Sequence, residues 1–129
     1  MKAVKITMAG RELLLMYTGE AMFRLQEEFG DVNELMAAIA PNTREGFDAL
    51  CAACAVLAEQ GELARRYLGY IPGHILSAEE MRHLMMPKDV VAFKQALPQA
   101  VSLGYDREIE PQNNEIDLGL AELDQKKTT

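Results

Sequence analysis

Apolar and polar positions alternate at the start of the chain, and then the period changes. Val4, Ile6 and Met8 alternate with Lys5, Thr7 and Ala9, and after Gly10-Arg11-Glu12 the same period returns in Leu13, Leu15 and Tyr17. A period of two sends successive side chains to opposite faces of a strand, so two short strands are predicted, each with one inward face. Gly10 between them suits a hairpin loop, because it enters positive φ without a Cβ clash. A hairpin of this size is marginal alone and needs a cover.

From Thr18 onward the spacing is that of helices. Thr18 is placed to cap a helix through Glu20, Ala21, Met22, Leu25 and Phe29, with Gly30 at its stop. Asp31 and Glu34 form an acidic capping box for a second helix carrying Val32, Leu35, Met36 and Ile39. Pro41-Asn42 breaks the pattern, and Thr43 caps a third helix with Phe47, Leu50, Cys51, Cys54, Leu57 and Ala58 on one side. Gly61 ends that helix or kinks it; in the second case it continues through Leu63, Ala64 and Tyr67 toward Gly69. Tyr70-Ile71-Pro72-Gly73 reads as a connecting loop.

The clearest start signal comes next. Ser77 and Glu80 form a capping box, and Leu76 and Met81 hold the two positions of a hydrophobic staple. This helix runs through Leu84 and Met85 to Pro87, which ends it, kinks it or begins another. Val90, Val91, Phe93, Leu97 and Val101 predict a last helix, bent or shortened at Pro98 and stopping near Gly104. The predicted fold class is therefore α+β, mostly helical: a short N-terminal β-hairpin packed on a bundle of about four to six helices.

Composition divides the chain in two. Residues 1–105 carry the apolar pattern and are expected to form a single globular domain of hairpin plus helices. Residues 106–129 are acidic and interrupted by Pro111-Gln112-Asn113-Asn114, so a disordered C-terminal tail is expected there. Within it, Ile116, Leu118, Leu120 and Leu123 make a short candidate binding segment. The formal net charge of −7 repels phosphate backbones, and no basic stripe offsets it, which disfavours nucleic acid as a partner. The longest apolar run, residues 49–58, falls short of the roughly 20 residues a membrane span needs, so no membrane association is expected. The first residues carry two lysines but no apolar h-region and no cleavage signal, so no secretory peptide is expected. Two cysteines three residues apart cannot staple distant parts of a fold, which points to a reducing compartment.

Catalytic groups do not converge along the sequence. Cys51 and Cys54 with His74 and His83 would supply four zinc ligands or a redox pair, but both cysteines lie in an alanine-rich helical run without a knuckle-forming turn. Free cysteine there is better read as a small core hydrophobe. No serine sits in a nucleophile elbow, and acid pairs such as Glu27-Glu28 and Glu79-Glu80 point apart on their helices. No catalytic residue, metal ligand or cofactor is therefore assigned. Eight methionines in a chain this size suggest adaptable apolar surface as well as core filling. Met22, Leu76, Met81, Leu84 and Met85 are the candidate partner-binding residues.

Several phrases together resemble the tail assembly chaperones of long-tailed bacteriophages and prophages. The resemblance begins with Ile6-Thr7-Met8-Ala9-Gly10-Arg11-Glu12-Leu13 and continues in Tyr17-Thr18-Gly19-Glu20-Ala21-Met22-Phe23 and Leu25-Gln26-Glu27-Glu28-Phe29-Gly30-Asp31. It returns in Leu57-Ala58-Glu59-Gln60-Gly61-Glu62 and Arg65-Arg66-Tyr67-Leu68-Gly69-Tyr70, and ends with residues 77–87 and 96–104. It implies a non-catalytic protein, made in the host bacterial cytoplasm, that self-associates and keeps the tape-measure protein soluble while tail-tube protein polymerises around it. It also implies a longer product by ribosomal frameshift, for which the codons of Gln125-Lys126-Lys127 would be a slippery site. Two alternatives stay beside it: a structural phage tail or head-completion subunit, and a small metal or redox protein built on Cys51, Cys54, His74 and His83.

Overall fold

The hairpin forms where the alternation places it, and its turn explains the register. β1 (Lys2–Met8) and β2 (Arg11–Leu15) are antiparallel, with Val4 opposite Leu15, Ile6 opposite Leu13 and Met8 opposite Arg11. That leaves a two-residue turn in which Ala9 (φ 52°) and Gly10 (φ 76°) both have positive φ, the geometry that matches the twist of paired strands. Arg11 and Glu12 thus belong to the second strand rather than to the interruption. The structure is a computed structural model that describes residues 1–106 and 114–118.

Among the described residues five helices follow: α1 (Gly19–Phe29), α2 (Val32–Ile39), α3 (Arg44–Tyr67), α4 (Ala78–Leu84) and α5 (Pro87–Gly104). The fold is α+β and mostly helical. Each expected N-cap is made: Thr18 accepts from the Ala21 amide, Thr43 from Gly46, Asp31 from Glu34 and Ser77 from Glu80. Pro87 begins α5, where its missing N–H costs nothing, and the Asp89 carboxylate accepts the Met86 amide at 2.9 Å. α5 then runs through Pro98 to Gly104 without a break. The main core lies between the hairpin and the helices, centred on α3, with Leu25, Leu50, Leu57, Met81, Phe93 and Leu97 all buried.

α3 is one helix of 24 residues that passes Gly61 unbroken. Gly61 is there for contact, not for termination. A Cβ at that position would lie 1.9 Å from the Leu14 carbonyl oxygen, so the strand crosses the helix where no side chain fits. Nearby, the Met16 amide donates to the Leu57 carbonyl at 3.1 Å. The outer edge of β2 is therefore covered by α3, which keeps it from pairing with another chain.

The sheet has a third strand. β3 (Glu115–Asp117) pairs antiparallel with β1, giving the order β2-β1-β3, with Ala3 opposite Ile116. This corrects the expected disordered tail from 106 onward: residues 114–118 return to the sheet, and Leu118 is buried. The remaining tail residues 107–113 and 119–129, with Leu120, Leu123 and the Gln125-Lys126-Lys127 run, lie outside the described residues. The third strand also corrects the picture of one inward face. Ala3, Met16 and Leu118 form a second small core with Ala64 and Tyr70, on the face opposite Val4 and Leu15. Among the described residues, no helix is long and apolar enough to cross a membrane.

Candidate functional site

The five expected partner-binding residues do not share a surface. Met81 is fully buried, Leu76 and Met85 are buried beside it in the main core, and Met22 is half-buried. Leu76 and Met81 serve as the staple that fixes the entry of α4, and Met85 caps its end, donating its amide to the Met81 carbonyl. These three are core residues, which corrects their assignment to a docking face. Met22 carries another contact, since the Tyr105 hydroxyl donates to its Sδ at 3.4 Å. Leu84 alone of the five is exposed, at 38%.

Leu84 has exposed apolar neighbours outside the expected partner-binding set. Met86 is 58% and Val91 60% exposed, and Pro87 between them is exposed too. Pro87 and Val91 are four residues apart on α5, so they share a helix face. With Leu84 and Met86 they are the exposed apolar side chains of the α4–α5 junction, here called the ledge. The junction is held by the Ser77–Glu80 capping box, by Asp89 on the Met86 amide, and by the buried Met85 and Phe93. Two signals could have marked it. Val91 lies off the Val90-Phe93-Leu97-Val101 stripe, and Met86 stands at an N-cap where Ser, Thr, Asp or Asn is usual.

A second feature lies on the far face of the sheet, where residues 70–76 fold back over the end of α3. Glu62 is their anchor: its carboxylate accepts from Arg65 at 2.6 Å, from Arg66 at 3.0 Å and from the Gly73 amide at 2.6 Å. The Arg65 guanidinium lies 5.3 Å over the Tyr70 ring, and Arg66 donates to the Gly73 carbonyl at 2.6 Å. Arg11 reaches across from β2 to the His74 carbonyl, also at 2.6 Å. Beneath this loop a cavity of about 460 Å³ remains. Leu14, Leu76, Ile116 and Leu118 supply its apolar wall, and Lys5, Arg11, Glu12, Glu62, Arg65 and His74 its polar one. Sequence reasoning missed it, because its walls come from five segments with no local motif. Outside the loop, His74 pairs with Glu80 at 2.8 Å. The Ser77 amide, and after it His74, hold the Glu80 carboxyl below its ordinary range.

Cys51 and Cys54 lie in the main core as free thiols, while His74 and His83 are exposed. The four do not meet, and no cluster of three or more His, Cys, Asp or Glu suited to a metal ion occurs among the described residues. Burial pushes the Cys51 thiol up from 9.0 to about 11 and raises Cys54 as well, with the neighbouring Cys51 adding to the effect. The folded state thus holds these protons more tightly than the unfolded one. Below pH 9 the thiols cost nothing; as pH climbs from 9 toward 11, unfolded thiols ionise and stability falls. Urea midpoints measured across that window should drop less steeply in Cys51→Val than in the parent. At pH 8, Ellman's reagent should label neither thiol until urea unfolds the chain, and rapid native labelling would contradict their burial.

No protein-family profile, curated protein or solved structure matches the chain.

Proposed function

We propose that the chain is a non-catalytic tail assembly chaperone of a long-tailed phage or prophage, which holds the tape-measure protein during tail-tube assembly in the host bacterial cytoplasm. The observation that carries the reading is the ledge of Leu84, Met86, Pro87 and Val91, apolar side chains exposed on a junction that capping and burial hold firm. A holdase needs neither nucleotide nor nucleophile. It needs apolar surface that adapts to helical client segments, and charge that keeps the complex dispersed. Met86 offers an unbranched, polarisable thioether for the first requirement, and the net charge of −7 suits the second. The tape-measure protein as client, with the tail-tube protein and self-association as further contacts, is taken from the resemblance over residues 4–105.

Co-expression tests this. With a tape-measure protein from the same gene neighbourhood, the parent chain should keep the client soluble and co-purify with it. Leu84→Asp/Val91→Asp should lose most of that yield, about tenfold or more, while its own thermal unfolding shifts little, since exposed sites tolerate substitution within about 0.5 kcal/mol. Unchanged client yield in the variant would overturn the ledge as the holding surface. Abundant chain in purified virions would favour a structural tail subunit instead.

A further inference from the structure

The cavity under residues 70–76 is not used by the ledge and is built unlike a packing defect. At about 460 Å³ it is within the size range of small-ligand pockets and far larger than one water requires. Its walls are fixed. Glu62 on α3 holds the loop through the Gly73 amide, Arg66 holds it through the Gly73 carbonyl, and Arg11 ties the strand to it through the His74 carbonyl.

The charges on the polar wall differ in one respect. Lys5 faces Glu12 at 3.5 Å, and Arg65 faces Glu62 at 2.6 Å. Arg11 donates to a backbone carbonyl, a neutral partner, and no carboxylate among the described residues lies in ion-pair range of it. It is half-buried, so water screens its charge less than on an open surface. A guanidinium carries five N–H donors in a fork that matches a carboxylate, and one bond to His74 leaves others to offer. Leu14, Leu76, Ile116 and Leu118 give the lining its apolar part.

We propose that this cavity binds a small aliphatic carboxylate, its head group on Arg11 and its hydrocarbon stem along Leu14, Leu76, Ile116 and Leu118. A cationic head group finds no equivalent place, because Glu62 is already taken by Arg65, Arg66 and the Gly73 amide, and Glu12 by Lys5. The site is separate from the ledge, so either can fail without the other.

Methyl-resolved NMR titration of the full chain with octanoate tests the proposal, with octylammonium as the probe of opposite charge. Octanoate should give saturable shifts at the methyls of Leu14, Leu76, Ile116 and Leu118, and octylammonium should bind at least about tenfold more weakly. Arg11→Gln should weaken octanoate about tenfold, while Arg11→Lys, which keeps the charge but not the fork, should lose less than that. N-acetyl-leucyl-aspartate carries the same chemistry on a peptide: tighter binding than octanoate would place the carboxylate on a protein segment, weaker binding on a free acid, and both sustain the site. Absence of saturation with both carboxylates, equal binding of octylammonium, full affinity in Arg11→Gln, or shifts confined to Leu84 and Val91 would each overturn it.

Discussion

Gly61→Ala should cost about 3 kcal/mol or more, one of the largest losses any single methyl could cause in this chain. The added Cβ would lie 1.9 Å from the Leu14 carbonyl oxygen and 2.7 Å from its carbon. A flexible side chain could swing away, but backbone cannot do so cheaply. Leu14 is paired with Lys5 across the hairpin, and two residues later the Met16 amide is bonded to Leu57 on the same helix. Relief would have to separate strand from helix, opening both the main core and the smaller one beneath Tyr70. Helix propensity alone points the other way, since alanine is favoured over glycine in a helix interior by about 1 kcal/mol. The sign of the measured change in urea midpoint therefore decides whether tertiary contact or local propensity rules at Gly61. Gly19→Ala is the control: nothing lies within 4 Å of its added Cβ, so a gain of about 0.4–1 kcal/mol is expected.

Met81→Asp should be at least as damaging, with a loss of about 4 kcal/mol or more, leaving the chain largely unfolded at 37 °C. Met81 is completely buried in the cluster that includes Leu57, Phe93 and Leu97. An aspartate there leaves a cavity and places a carboxyl group among apolar side chains. Leu84→Asp, three residues further along and 38% exposed, should change stability by less than about 1 kcal/mol. Thermal unfolding of the pair separates the two roles that a periodicity of apolar residues merges: one side chain builds the core, the other borders the ledge. Similar melting of the two variants would contradict this division.

Much of the fold was legible because its signals are local. Thr18, Asp31, Thr43 and Ser77 each satisfy amides within three residues of themselves, so the sequence around them suffices to place four helix starts. The hairpin was legible for the same reason. What was not legible depends on distant partners. Glu115-Ile116-Asp117 has no strand signal of its own and becomes one only by pairing with Lys2, Ala3 and Val4 at the other end of the chain. Gly61 looks like a helix breaker until the strand that crosses it is known. On α4, periodicity marked Met81, Leu84 and Met85 as one apolar group, but only the packing against α3 tells which of them the core takes. The cavity is the extreme case, since its lining draws Lys5 from β1, Arg11 from β2, Arg65 from α3, His74 from the loop and Ile116 from β3.

The most direct test of the proposed holding function is hydrogen–deuterium exchange on the complex with the tape-measure protein, compared with the free chain. If the ledge holds the client, protection should rise by at least about tenfold across residues 84–91, with little change in α2 or the hairpin turn. Protection that leaves residues 84–91 unaltered and gathers elsewhere, or no stable complex to measure, would contradict it.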